Sequence, residues 1–211
     1  MVLEKEFLQS FFSLTYSFFL TGGNALNLFY FQHRLSDDLD CFTQDRREFD
    51  DLNALVSESC FKISAQHKEV RSFHDYKRYL ISRGEEAIIT DFVFEPVPQL
   101  YPSKNIFQGI RVDVPEEIVV NKLCALLGRS EFKDLIDLYY LEKNGYPAMK
   151  FVTAASQKDG GFNAASLAYV LDRIDLARMP EALKSIVPAD ELESFRTHLK
   201  NALLKASFPT A

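Results

Sequence analysis

Residues 21–40 read TGGNALNLFYFQHRLSDDLD, a stretch that compresses strand end, glycine turn, helix and a pair of carboxylates into one unit. The run ahead of it, residues 16–20, is rich in β-formers and stops at Gly22-Gly23, which lack a Cβ, permit a tight turn and let a ligand approach the backbone. From Ala25 onward Leu26, Leu28, Phe29 and Phe31 suit a helix laid on a sheet. That helix should open near Gly23 or Asn24 with unpaired amides outward, an arrangement that attracts phosphate. Arg34 and Ser36 then lead into Asp38-Leu39-Asp40; on a strand the two acids share one face and Leu39 points away. Carboxylates brought together repel, and the usual relief is a divalent cation with oxygen ligands, here expected to be Mg2+. Taken alone, Gly-Gly also fits an ordinary turn and Asp-x-Asp a solvated strand end.

Composition sets the frame for that unit. The chain has 211 residues, 47% of them apolar and 26% charged, enough for one large or two small globular domains with a real core. Nineteen Phe and no Trp make that core Phe-rich. Cys41, Cys60 and Cys124 form no CxxC and no Cys/His spacing, so neither a disulfide framework nor a zinc site is indicated and a reducing cytosol fits best. Glu4, Lys5 and Glu6 stand where a signal peptide would carry its apolar segment, and no run reaches membrane-spanning length. The expectation is a soluble cytoplasmic protein without a membrane partner. A net charge of −6 argues against nonspecific avidity for nucleic acid. Within that acidic chain Lys68, Arg71, Lys77, Arg78 and Arg83 cluster, either as a sheet edge guarded by cations or as a surface for an RNA backbone.

Periodicity predicts helices over residues 2–13 and 46–61, and strands over 62–66, 76–82 and 86–94 with a turn at 83–86. In the last of these, Asp91 is an acid inside a run otherwise suited to burial, so it needs a partner, in an ordinary protein an Arg. Residues 96–102 read as an extended Pro-rich connector and 110–112 as a short strand. Pro115-Glu116-Glu117 suits the first turn of a helix over 115–127, in which Lys122 would ordinarily reach solvent. Further helices are expected over 148–158, 163–174 with Asn163 as cap, and 189–205.

A glycine pair after a strand, one helix, then Asp-x-Asp is how nucleotidyltransferases of the DNA polymerase β type begin. The stretch resembles the AbiEii/AbiGii-type nucleotidyltransferase toxins through Gly22, Gly23, Asn24, Ala25, Leu26, Arg34, Ser36, Asp38, Leu39 and Asp40, with Asn24 where the family more often carries Thr or Ser. The resemblance implies that Asp91 is the third carboxylate, on a strand beside the first two. It gives Lys122, followed by Cys124-Ala125 and Arg129, to the nucleotide phosphates, and makes Asp134 of Lys133-Asp134-x-x-Asp137-Leu138 functional, leaving Asp137 as a structural partner. The implied fold is α/β: a small mixed sheet flanked by helices over residues 1–113, then a helical region over 114–211 closing the nucleotide cleft. The implied activity is transfer of an NMP from an NTP to an acceptor hydroxyl. Two Mg2+ ions would be held by Asp38, Asp40 and Asp91, with Gly22, Gly23, Asn24, Arg34 and Ser36 around the nucleotide. The acceptor would be a tRNA 3′ end and an antitoxin would be the partner. A small hydroxylated molecule or protein side chain as acceptor, or a nucleotide- or RNA-binding module without chemistry, are the alternatives.

Overall fold

The computed structural model describes residues 2–36 and 38–207. The chain divides into two compact units, Met1–Pro98 with Pro102–Val114, and Gln99–Tyr101 with Pro115–Ala211.

The first unit is built on seven strands: β1 (Phe19–Thr21), β2 (Asp38–Thr43), β3 (Gln66–Ser72), β4 (Tyr76–Arg83), β5 (Glu86–Phe94), β6 (Lys104–Phe107) and β7 (Ile110–Asp113). Their order is β3-β4-β5-β2-β1-β7-β6. β2 runs parallel to β5 and β1 parallel to β7, while the other neighbours are antiparallel, so the sheet is mixed as expected. Alternation along β2 buries Leu39, Cys41 and Thr43 and leaves Asp38 and Asp40 on the other face. The buried face packs against α1 (Val2–Phe12), where Phe11 lies 5.2 Å from Phe18 and 5.1 Å from Phe92 between ring centroids. Burying such a ring contributes on the order of 2–3 kcal/mol, so the apolar residues of β2 and β5 anchor the strands while their acids face outward.

Several boundaries differ from the periodicity reading, each for a local reason. Residues 16–18 do not extend β1, because the amides of Tyr16 and Ser17 are taken by the Glu48 carboxylate instead of by a ladder. The helix opens at Gly22 as α2 (Gly22–Ala25), then widens into a π-helix over Leu26–Phe31, which apolar spacing alone does not reveal. The helix expected over 46–61 is two, α3 (Arg46–Asp50) and α4 (Leu52–Lys62), parted at Asp51, a residue type better suited to helix ends than interiors. The strand expected over 62–66 is absent: α4 runs through Lys62, Ser64 turns left-handed at φ 54°, and the Ala65 amide returns to the Cys60 carbonyl at 2.9 Å. β3 then begins at Gln66 with every residue exposed, which is why it shows no apolar alternation.

The second unit holds α5 (Pro115–Arg129), α6 (Phe132–Lys143), α7 (Val152–Lys158), α8 (Ala164–Arg173), α9 (Glu181–Lys184) and α10 (Ala189–Ser207). Asn163 caps α8 by accepting from the Ser166 amide at 2.8 Å, as its position predicts. Buried Glu117 explains why residues 99–101 belong here: it accepts from the amides of Leu100 at 3.0 Å and Tyr101 at 2.8 Å and pairs with Lys158 at 2.6 Å. Among the described residues no helix is long and apolar enough to cross a membrane.

Glu48 is the fastener behind the strands that carry the acids. It accepts from Thr15 Oγ1 and Ser17 Oγ at 2.6 Å each, and Ser17 Oγ also meets Thr43 Oγ1 at 2.6 Å. Burial acts to raise its pKa, but the hydrogen bonds from Ser17, Thr15 and the two amides outweigh it and hold the carboxyl below its ordinary value. A lowered folded-state value stabilises above the unfolded pKa and is lost as pH falls through the folded one. Glu48→Gln is therefore expected to cost roughly 1–3 kcal/mol near neutral pH and to flatten the acid limb of stability. Urea melts near neutrality and at about pH 4 check this, an unchanged acid limb counting against it.

Candidate active site

Register brings the acids together. Asp40 of β2 stands directly opposite Asp91 of β5, with Asp38 opposite Ile89, and residues paired this way share a face. Asp38, Asp40 and Asp91 therefore lie on one side of the sheet, Asp91 buried and the other two half-buried. On the next strand Arg78 is opposite Asp91. Its guanidinium forks onto that carboxylate, Nε to Oδ1 at 2.6 Å and Nη2 to Oδ2 at 2.7 Å, and Nη2 also reaches Asp38 Oδ2 at 3.1 Å. The Tyr76 hydroxyl donates to Asp91 Oδ1 at 2.9 Å. The bond to Asp91 holds the Arg78 pKa above its ordinary value, and burial, then Asp91, raise the Tyr76 phenol, so both remain donors. On the opposite face, burial foremost and then Asp40 and Asp91 push the Cys41 thiol well up, leaving it protonated.

The glycine elbow is fitted to these acids. Gly22 has φ +71°, and a Cβ there would stand 2.5 Å from Asp40 Oδ2, so only glycine allows the carboxylate to approach. A Cβ on Gly23 would run into the Arg34 guanidinium and come within 3.2 Å of Ser36 Oγ. Arg34 is buried, with Nη1 donating to the Leu35 carbonyl at 3.1 Å. Asn24 Nδ2 donates to the Asp38 carbonyl at 2.6 Å, so its amide ties the helix start to β2. Gly22, Gly23, Asn24, Arg34, Ser36, Asp38 and Asp40 thus meet around one elbow. Thr21, opposite Asp40 on β1, adds a buried hydroxyl with no hydrogen-bond partner among the described residues.

The other sequence-singled residues cluster in the helical unit. Lys122 of α5 is buried and pairs with Asp134 Oδ1 at 2.8 Å and Asp137 Oδ2 at 2.6 Å on α6. Half-exposed Arg129 forks onto the same Asp134, Nε to Oδ2 at 2.8 Å and Nη2 to Oδ1 at 2.9 Å. Burial acts to lower the Lys122 pKa, yet Asp137 and Asp134 raise it; burial acts to raise Asp134, yet Arg129 and Lys122 hold it below its ordinary value. Lys122 does not reach solvent, as a lone helical Lys ordinarily would.

The family described as nucleotidyl transferase AbiEii toxin of a type IV toxin–antitoxin system matches residues 6–211. The chain belongs to that family. As an AbiEii member it is a nucleotidyltransferase, and it is also 29% identical to an uncharacterized protein of Aquifex aeolicus over 196 residues, 91% of each chain. The AbiEii fold agrees with solved structures. A candidate nucleotidyltransferase of Helicobacter pylori has a TM-score of 0.66 at 19% identity, covering 97% of this chain and 95% of that one. MenT4, a nucleotidyltransferase toxin of Mycobacterium tuberculosis, has a TM-score of 0.63 at 15% identity, covering 96% and 82%.

Three carboxylates on one face are hard oxygen donors of the kind Mg2+ takes, and two of them are bridged by the Arg78 guanidinium. The unpartnered Thr21 hydroxyl beside Asp40 is a further oxygen. As the side chains stand, no three His, Cys, Asp or Glu groups among the described residues are gathered closely enough to hold an ion. Sequence reasoning placed Arg78 only in the basic cluster and not on the acids, and it passed over Tyr76. The signal was their period-2 spacing on the strand preceding Asp91, with the tight turn at Gly84 setting the register.

Removing the Lys122 charge leaves two buried carboxylates without their shared cation. Lys122→Met should destabilise the protein by roughly 3–5 kcal/mol, read as a large fall in Tm. Adding Asp134→Asn and Asp137→Asn should recover part of it, and a Tm unmoved by Lys122→Met would show the cluster to be inert.

Proposed function

We propose that the chain transfers a nucleoside monophosphate from an NTP to an acceptor hydroxyl, in a reaction that depends on Mg2+. The observation that carries this is the row of Asp38, Asp40 and Asp91 on one face beside the glycine elbow. A bond forms between the acceptor oxygen and the α-phosphorus, and the bond to pyrophosphate breaks. Asp38, Asp40 and Asp91 are the residues that would hold two ions; bound there, divalent metal offsets triphosphate charge and lowers the pKa of the attacking hydroxyl. Asp91 is the group we assign to receive the hydroxyl proton. The backbone at Gly22, Gly23 and Asn24 seats phosphate oxygens at the helix opening, with Arg34 and Ser36 alongside. Family resemblance gives Lys122 and Arg129 to the phosphates and makes Asp134 functional; Asp134 holds both cations in the helical unit.

Incubation with radiolabelled NTPs, Mg2+ and total RNA tests this. Asp38→Asn and Asp40→Asn should each lower labelling by on the order of a hundredfold or more, and equal labelling by both variants would refute the reading.

For the acceptor we propose an RNA end, a tRNA 3′ terminus being the family-suggested case, with an antitoxin as the protein's partner. What supports RNA is how the acidic face continues towards the edge strand. Opposite Arg78 stands Arg71 and opposite Leu80 stands Lys68, so both cations share the face of the triad. They do so because a bulge between Glu69 and Arg71 shifts the alternation by one residue, while Glu69 turns to the other face and accepts from Tyr79 at 3.0 Å. Exposed Phe73 lies 6.2 Å from the Tyr76 ring, its plane tilted by 32°. Cations with an exposed aromatic suit a single-stranded end, with phosphates on the charges and a base on the ring. Lys68→Glu with Arg71→Glu should raise KM for RNA about tenfold and make it less salt-dependent, leaving pyrophosphate release from NTP alone unchanged. An unaltered KM would remove this surface from the acceptor path, and RNase-resistant label would point to a small molecule or protein side chain.

A further inference from the structure

We propose that Arg78 is the positioning residue of the carboxylate row: its guanidinium is a tethered cation that holds Asp38 and Asp91 in place and must withdraw before a divalent ion can bind there. The inference rests on the nucleotidyltransferase reading above and adds what sets the affinity of that site for metal.

One nitrogen carries the geometry. Nη2 of Arg78 sits between Asp38 Oδ2 at 3.1 Å and Asp91 Oδ2 at 2.7 Å, so a single positive donor already bridges the two strands' acids. Without it three carboxylates would face one another across paired strands, an arrangement like-charge repulsion disfavours. With it Asp38 Oδ2 and both Asp91 oxygens are engaged by one guanidinium.

The grip is graded in a way that permits exchange. The contact to Asp38 is the longest of the three and lies between side chains 31% and 37% exposed, whereas Asp91 is only 11% exposed. Exposed ion pairs contribute little and are readily replaced, so the Asp38 contact is the first to open. β4 is laddered on both sides, to β3 and to β5, so withdrawal is a change of Arg78 rotamer and not a movement of the strand. When Nη2 leaves, Asp91 does not swing free: Tyr76 still donates to Oδ1, leaving Oδ2 as the oxygen offered to the incoming ion. Arg78 and divalent metal are therefore mutually exclusive at Asp38, and the protein without nucleotide binds metal weakly because its own side chain competes.

Calorimetric titration of Mn2+ into the nucleotide-free protein tests this. Arg78→Gln, which removes the charge, should bind Mn2+ about tenfold tighter than wild type, with Arg78→Lys between the two. Metal-free Arg78→Gln should also melt below wild type and regain its Tm on adding Mn2+, a compensation that a purely structural role for Arg78 would not show. Equal or weaker Mn2+ binding by a cooperatively melting Arg78→Gln protein overturns the proposal. Should that variant not fold, 15N-arginine spectra of wild type decide: the Nε resonance assigned through Arg78→Lys should move on saturation with Mg2+, and a stationary signal overturns it. Asp40→Asn separates the two levels. If Mn2+ binding survives it, the metal site itself is wrong and the inference falls with it; if binding is lost but indifferent to Arg78→Gln, only the exchange is wrong.

Discussion

The parallel pairing of β2 with β5 is the constraint on which the rest of the first unit depends. It sets Asp40 against Asp91 and, because side chains alternate, sends Leu39 and Cys41 to the opposite face. A slip of β2 by one residue would turn Asp38 and Asp40 into the Phe-lined core and Leu39 and Cys41 out of it, so the register is enforced by hydrophobic burial. The position of the carboxylates is thus determined by residues that take no part in chemistry. Phe11, Phe18 and Phe92, packed edge to face or tilted on the far side, are what keep Asp38 and Asp91 within reach of one guanidinium.

Charge is handled differently in the two units. On the sheet, buried Asp91 and half-exposed Asp38 are matched by one arginine that solvent can still reach. In the helical unit, Lys122, Asp134 and Asp137 are all buried, and Arg129 closes the set from the surface. An interior cluster of that kind is costly to leave incomplete, so it fixes the packing of α5 on α6 firmly. The sheet's arrangement is the looser of the two.

What could be read from the chain alone follows from where the information is local. The Gly22-Gly23 elbow and the Asp38–Asp40 spacing are contiguous, and strand alternation suffices to put both acids on one face. Asp91 was visible as an acid in an apolar run that needs a partner, and on the sheet it faces both Arg78 and Asp40. Arg78 was visible as one of a cluster of cations, but not as the partner of Asp91 and Asp38, because that pairing depends on hairpin register. β3 was misplaced because an exposed edge strand lacks apolar alternation, and the π-helical turn because its hydrogen bonding leaves no mark on apolar spacing. The bulge that realigns Arg71 with Lys68 belongs to the same class of non-local detail.

Cys41 adjoins the acid that Gly22 makes room for, yet its sulfur lies on the sealed side of the sheet with the thiol held protonated. Peroxide and alkylating reagents meet neither an accessible sulfur nor a thiolate there. Cys60 is buried as well, its thiol pushed up to about 11, so an electrophilic probe meets half-buried Cys124 of the helical unit before either cysteine of the sheet unit.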